Sequence, residues 1–158
     1  MIRRTVTTWL FALAVLAFGA PEKRPPAKPG PDAKCPVCGM FIAKFPDFLA
    51  EIIHEDGTRV YFDGTKDMMK YYSEPAKYRP PAAGSAIKEI YVTDYYSLKL
   101  IDGREAFYVA GSDVFGPMGR ELIPLAGEDD AADFKKDHKG SAIYRFGEIT
   151  PEIVRGLD

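Results

Sequence analysis

The first half of the folded sequence shows a pattern of apolar and polar positions that predicts a β-hairpin. Residues 48–54 (FLAEIIH) are rich in apolar side chains, and residues 58–62 (TRVYF) continue as a second strand. Asp56 and Gly57 lie between them, and this dipeptide is among the strongest short hairpin signals. We therefore expect two antiparallel strands joined by a tight turn.

A helix and a third strand are predicted to follow this hairpin. Asp63 or Thr65 can cap the helix at its start, and Pro75 ends the helical pattern. The apolar stripe of the helix consists of Met68, Met69, Tyr71 and Tyr72. We expect its two methionines to pack in the core, because a methionine on a helix among apolar groups is normally a packing residue. Residues 87–95 (IKEIYVTDY) then alternate as a strand.

The same order of elements recurs in the second half of the chain. Strands are expected at residues 97–101 and 104–110, a loop at residues 111–120 and, after residues 121–125, a helix at residues 128–138 and a strand at residues 142–146. Gly140 should end this helix. The pattern predicts an α+β protein over residues 35–158, in which two tandem strand-strand-helix-strand units, about 35–95 and 96–150, form antiparallel sheets.

The N-terminal residues have the features of an export signal. Arg3 and Arg4 precede an uncharged stretch whose apolar part, residues 9–18, is shorter than a typical membrane-spanning helix. We expect residues 1–19 to be a signal peptide for export to the periplasm and the proline-rich residues 20–34 to be an extended linker. An uncleaved N-terminus would instead associate with the membrane. No cysteine follows the apolar stretch, so we expect no lipid attachment there.

Composition narrows the classes of function. The chain has 158 residues with 46% hydrophobic content, which is enough to bury a core. Its formal net charge is -2, and no run of lysines and arginines stands out. Because a phosphate backbone is held by a basic surface, we do not expect a nucleic-acid partner.

The most reactive stretch is CPVCGM at residues 35–40, which holds both cysteines of the chain. A disulfide between Cys35 and Cys38 suits an oxidising compartment, but it would close a very small loop and stabilise the fold little. A periplasmic thiol-disulfide oxidoreductase that uses this pair is the alternative function. Its nucleophilic cysteine would normally follow a strand and begin a helix, whereas here the proline-rich segment precedes the pair.

A metal site is the other interpretation of these cysteines. Structural zinc needs two more ligands, and the two histidines, His54 and His138, have no compact zinc-finger spacing. His54 is the better reserve ligand, since the first hairpin closely follows the cysteines. Thiolates and thioethers together select Cu(I). In an extended strand Cys38 and Met40 would point to the same side, and Met118, in a glycine- and proline-rich turn, offers a further sulfur.

A set of motifs extends over nearly the whole folded chain. These are CPVCGM, MFIAKFPDFLAEI, YFDGTKDMMKYY, VTDYYS, IDGREAFYVAGSD, GPMGRELIPLA and YRFGEIT, between residues 35 and 150. Together they resemble the NosL family, copper-binding accessory proteins of nitrous oxide reductase. The resemblance implies a monomeric periplasmic Cu(I) carrier, not an enzyme, with two strand-strand-helix-strand units similar to part of organomercurial lyase.

The resemblance also implies ligands and partners. Carried onto this sequence, the ligands are Cys38, Met40 and Met118, together with Cys35. The carrier would supply copper to nitrous oxide reductase or to the assembly factors of its copper sites. Family members are typically lipoproteins, so the lack of a cysteine after the apolar N-terminal stretch is a departure from the family pattern.

Overall fold

The structure, a computed structural model, describes residues 23–78 and 84–158. The signal peptide predicted at residues 1–19 lies outside these residues. Within the two described ranges, no helix is both long enough and apolar enough to cross a membrane.

Hairpins and helices follow one another along the described chain. The strands and α-helices are β1 (Ala50–His54), β2 (Arg59–Phe62), α1 (Thr65–Ser73), β3 (Ile87–Thr93), β4 (Leu100–Asp102), β5 (Phe107–Ala110), β6 (Phe115–Gly116), β7 (Gly119–Arg120), β8 (Ile123–Leu125), α2 (Glu128–Asp137), β9 (Ala142–Arg145) and α3 (Pro151–Arg155). Short 3-10 helices lie at Ile42–Lys44, Pro46–Phe48, Pro75–Tyr78 and Phe146–Glu148. The helix α3 has no counterpart among the predicted elements.

The longer strands form two antiparallel sheets with the same internal order. The first sheet runs β2-β1-β3-β4 and the second runs β8-β5-β9. In the first sheet β1 pairs with β2 on one side and with β3, the strand after α1, on the other. In the second sheet β5 pairs in the same way with β8 and with β9, the strand after α2. The prediction of an α+β fold with two strand-strand-helix-strand units is therefore confirmed, the units being β1-β2-α1-β3 and β5-β8-α2-β9.

The first strand of the second unit differs from the prediction. We expected residues 97–101 to begin that unit, but β4 pairs with β3 and extends the first sheet, with Tyr91 opposite Asp102. The reason is a tight reversal after β3. There the Asp94 carboxylate accepts the N–H of Ser97 at 2.8 Å, and the next residue takes a left-handed conformation. The second unit consequently starts at β5.

The N-terminus of α1 is capped by the second unit. The predicted capping residues, Asp63 and Thr65, do not do this, because Gly64 is the N-cap and no side chain bonds to the helix from that position. Instead the backbone N–H of Lys66 donates a hydrogen bond to the buried carboxylate of Glu121. This bond joins the first helix to the segment that follows the β6–β7 hairpin.

Glu121 is enclosed where the two units meet. One carboxylate oxygen accepts hydrogen bonds from the N–H of Lys66 and, at 2.9 Å, from that of Leu122. The side chain also lies against the backbone of Gly64 and Gly116, where an added Cβ would crowd the carboxylate. Both glycines therefore provide space for Glu121, and a side chain at either position would have to displace it.

The end of α2 also differs in detail from the prediction. The helix stops at Asp137, and Lys139 takes the left-handed conformation, with φ of 56°, that we expected of Gly140. The N–H of Gly140 donates to the carbonyl of Lys135 at 2.7 Å. A Cβ at position 140 would collide with the side chain of Val109, so packing, not backbone conformation, requires glycine here.

The main hydrophobic core is shared by both units. Met68 and Met69 are buried in it, which confirms that they are packing residues. Tyr108 and Leu122 contribute from the second unit, and Val154 contributes from α3. A smaller cluster under α2 consists of Val109, Ile123, Leu125, Ala131 and Phe134. The two units are thus halves of one packed structure.

The part of the predicted linker that the structure describes, residues 23–34, is bound to the first sheet. The guanidinium of Arg24 donates to the carbonyl of His54 at 3.2 Å, and the carbonyl of Arg24 accepts from the Tyr91 hydroxyl at 2.8 Å. The N–H of Ala27 donates to the Glu51 carboxylate at 3.1 Å. These residues therefore do not form a free tether.

The burial of Glu121 predicts a pH-dependent stability. Burial raises its pKa to about 8, against opposing hydrogen bonds from Leu122 and Lys66. A carboxyl group with a raised pKa binds its proton more tightly in the folded state, so its contribution to stability is present at pH 4.5 and is lost as the pH rises through 8. Glu121→Gln keeps an oxygen acceptor in the same place and should remove this decline. Urea denaturation at several pH values between 4.5 and 8 measures the free energy of unfolding of both proteins.

The control is Glu128→Gln, an exposed carboxyl group in the first turn of α2. It should leave the pH dependence of unfolding close to that of the original protein. A decline of the same size in Glu121→Gln and in the original protein would show that this carboxyl group does not set the pH dependence.

Candidate metal centre

The cysteine segment forms a closed turn, not the extended strand that we expected. The N–H of Cys35 donates to the carbonyl of Met40, and the N–H of Gly39 donates to the carbonyl of Cys35, both at 2.9 Å. Gly39 takes a positive φ of 80°, a conformation that favours glycine. A single antiparallel bridge between Lys34 and Phe41 closes the base of the turn. The alternation argument that placed Cys38 and Met40 on one side is therefore wrong.

Backbone N–H groups of this turn oppose the rise in the pKa of both thiols. Those of Val37 and Cys38 lower the pKa of Cys35, and that of Met40 lowers the pKa of Cys38. A backbone N–H directed at a sulfur has this effect because it favours the thiolate. The turn is thus a cradle that suits two thiolates bound to a cation.

Two carboxylates at the start of α1 face the cysteines. The sulfur of Cys35 lies 3.4 Å from an Asp67 oxygen, and the sulfur of Cys38 lies 3.2 and 3.4 Å from the two oxygens of Asp63. One possible ligand atom from each of the four residues lies within 4.8 Å of all the others. We call these four residues the Cys–Asp cluster.

Sequence reasoning missed half of this cluster. The sequence indicated Asp63 only as a helix cap and indicated no role for Asp67. A signal was present in the motif DGTKD, which places two carboxylates close to the start of the predicted helix. What the sequence could not show is that the cysteine turn packs against this helix start.

The carboxylates and the backbone N–H groups act on the thiols in opposite directions. Burial raises the pKa of Cys38 to about 12, and Asp63 and Asp67 add to this rise. Burial likewise raises the pKa of Cys35 well above its usual range. In the metal-free protein both thiols are therefore protonated at neutral pH and donate hydrogen bonds to the carboxylates. This is unfavourable for a redox nucleophile, which needs a lowered pKa.

Neither histidine joins the Cys–Asp cluster. The two ring nitrogens of His54 contact the carbonyl of Ser85 at 2.9 Å and the hydroxyl of Tyr71 at 3.0 Å. His138 stacks on Phe134, and one of its nitrogens lies 3.1 Å from an Asp113 oxygen. His54, our reserve ligand, is thus a buried structural residue whose nitrogens both have partners.

The two candidate thioethers lie on different elements. Met40 is half-buried at the end of the cysteine turn. Met118 is 44% exposed and lies with Pro117 at the tip of the β6–β7 hairpin. The carbonyl of Met118 accepts a hydrogen bond of 2.9 Å from the Lys66 ammonium, in the first turn of α1. The β6–β7 hairpin, residues 115–120, which we call the methionine loop, is therefore bound to the helix turn that also carries Asp67. Ligation by Met118 remains a prediction.

The fold and the site together define a small α+β protein with a candidate metal site built on two cysteines and two aspartates. The sequence profile of the NosL family matches residues 26–154. The chain belongs to the NosL family.

Two relatives show how far this similarity extends. The chain is 30% identical over 128 residues to the copper-binding lipoprotein NosL of Stutzerimonas stutzeri, and the match covers 77% of this chain and 64% of that protein's length. The crystal structure of the copper chaperone NosL from Shewanella denitrificans is 28% identical, with a TM-score of 0.69. That match covers 84% of this chain and 99% of the other, so it extends over both strand-strand-helix-strand units.

The raised pKa values predict that the cysteine thiols of the metal-free protein react slowly. Cys38 should react with iodoacetamide at neutral pH more slowly than an ordinary exposed cysteine, because little of it is thiolate. Asp63→Asn should speed the reaction by removing the carboxylate that accepts the thiol proton. Mass spectrometry of a timed alkylation measures both rates. Asp47→Asn, which alters an exposed carboxylate, should change nothing. Equal rates in all three proteins would contradict the arrangement described.

Proposed function

We propose that this chain is an exported Cu(I)-binding chaperone that delivers copper to nitrous oxide reductase during maturation of its metal centres. The observation that carries the proposal is the Cys–Asp cluster, in which two thiols and two carboxylates offer ligand atoms within 4.8 Å of one another. The copper-binding and chaperone names of its relatives supply the metal and the role. Copper is here the cargo of a carrier, not the cofactor of an enzyme.

The sulfur atoms favour copper in its reduced form. Thiolates and thioethers select Cu(I), and the family pattern offers Cys35, Cys38, Met40 and Met118. A thioether is neutral, so its loss costs little electrostatic energy when a partner's ligand replaces it. Because Met118 is exposed at a hairpin tip, an approaching partner can reach that side of the site.

The two carboxylates would also allow a divalent ion to bind at this site. Cys35, Cys38, Asp63 and Asp67 form a four-ligand set of the kind that zinc accepts. For Cu(I), which prefers sulfur, these carboxylates are partners of the thiols rather than ligands. The two interpretations therefore assign different roles to the aspartates and different roles to Met118.

Compartment and client follow from the relatives. The similarity to a lipoprotein agrees with an exported protein, and we propose the periplasm as its location. The reductase or its copper-site assembly factors would receive the metal. No surface of the described residues identifies that partner, so the client rests on the family.

A competition between metals tests the proposal. The reduced protein should retain one Cu(I) in the presence of excess Zn(II), because its sulfur donors outcompete carboxylates for the softer ion. Asp63→Asn with Asp67→Asn should abolish zinc binding and leave Cu(I) binding nearly unchanged. Affinities are measured by titration against chromophoric chelators. The matched control changes Asp129 and Asp130, exposed carboxylates of α2, to asparagine.

Three results would contradict this proposal. Displacement of Cu(I) by equimolar Zn(II) would make the chain a zinc protein. Loss of Cu(I) binding in the aspartate variant, with the fold intact, would show that the carboxylates are ligands. Efficient reduction of a disulfide substrate by metal-free protein would favour the oxidoreductase instead.

A further inference from the structure

A buried lysine, Lys66, lies next to Asp67 of the Cys–Asp cluster in sequence and contacts the methionine loop. Lys66 is 2% exposed, although it carries a charge that usually remains in water. Its ammonium lies 2.9 Å from the Met118 carbonyl, 3.3 Å from the Leu157 carbonyl and 3.4 Å from an Asp158 oxygen. An ammonium has three N–H donors, so these three acceptors satisfy it. The burial is compatible with folding only while these partners stay in place.

The methionine loop has few other fixed points. The β6–β7 hairpin has only two residue pairs, and Gly119 takes a positive φ of 85° in its turn. A two-stranded hairpin on its own is marginally stable in water. Lys66 holds the tip of this loop, and Glu121 holds its return strand by accepting the Lys66 backbone N–H. Lys66 therefore bonds both to the tip of the loop and to the residue that follows its return strand.

We propose that Lys66 is a positioning residue for metal binding, whose ammonium fixes the backbone of Met118 so that the thioether can complete the sulfur set of the Cys–Asp cluster. The inference rests on the proposed function, because it requires Cu(I) to be the ion bound. Lys66 is not itself a ligand. It acts through the loop that carries the ligand.

The physical reason lies in the flexibility of methionine. Its side chain has three rotatable bonds, so a mobile loop would present the sulfur over a wide volume. Fixing the carbonyl of Met118 restricts that volume before the metal arrives and lowers the entropic cost of ligation. Residues that orient metal ligands typically affect affinity by roughly 10- to 100-fold when they are replaced.

Lys66→Leu removes the ammonium and adds no sulfur that could bind copper. The readout is the NMR signal of methionine methyl groups labelled with carbon-13, recorded before and after addition of one equivalent of Cu(I). In the original protein the Met118 signal should shift on metal binding. In Lys66→Leu it should shift little, and Cu(I) affinity should fall roughly 10- to 100-fold.

A double-mutant cycle separates positioning from general destabilisation. Met118→Ala should lower Cu(I) affinity, and Lys66→Leu should lower it no further in the Met118→Ala background. The control Lys77→Leu alters an exposed lysine whose ammonium pairs with Glu74 and lies over the ring of Tyr78, and this variant should bind Cu(I) as the original protein does. Near-ultraviolet circular dichroism confirms that each variant is folded. If Lys66→Leu loses its fold, Lys66→Gln, which keeps an N–H donor on a shorter side chain, takes its place in the cycle.

The outcomes distinguish this inference from the proposed function. If the original protein binds no Cu(I), the proposed function fails. If it binds Cu(I) with a shifted Met118 signal and the Lys66 variant shows the same shift and affinity, the positioning role is wrong and the function stands. An equal further loss caused by Lys66→Leu in the Met118→Ala background would also overturn it, since the effect would not pass through Met118.

Discussion

The first turn of α1 determines how the two units meet. Its free backbone N–H groups and the buried ammonium of Lys66 need partners, because unpaired polar groups in the interior are costly. Glu121 accepts the Lys66 N–H, and the carbonyl of Met118 accepts from its ammonium. Both partners belong to the β6–β7 segment of the second unit. The same turn presents Asp67 to the cysteines, so one helix start contacts both the Cys–Asp cluster and the loop that carries Met118.

The cysteine turn and the start of α1 favour opposite protonation states of the two thiols. Backbone N–H groups of the turn lower the pKa of the thiols, whereas burial and the carboxylates of Asp63 and Asp67 raise it. Without metal, the second effect prevails and the thiols stay unreactive. A bound cation reverses the balance, since a metal-bound thiol is deprotonated. The site therefore suits a carrier that must avoid oxidation before loading.

Local patterns predicted most of the fold. The Asp56-Gly57 turn identified the first hairpin, and the apolar stripe of the predicted helix placed Met68 and Met69 in the core, because both signals act between residues close in sequence. The predictions that failed concern features that depend on distant contacts or on single backbone angles. The positive φ of Gly39 makes the cysteine segment a turn, and the reversal at Asp94 moves β4 into the first sheet. Asp67, Lys66 and Glu121 became meaningful only once the two units were packed together.

The central claim is that this site holds copper through sulfur. X-ray absorption at the copper edge of the reduced, Cu(I)-loaded protein tests it most directly, because the method reports the element and number of the nearest neighbours. We expect a first shell dominated by sulfur, from Cys35 or Cys38 and at least one of Met40 and Met118. A shell of oxygen and nitrogen atoms, supplied by Asp63 and Asp67 or by solvent, would contradict the account.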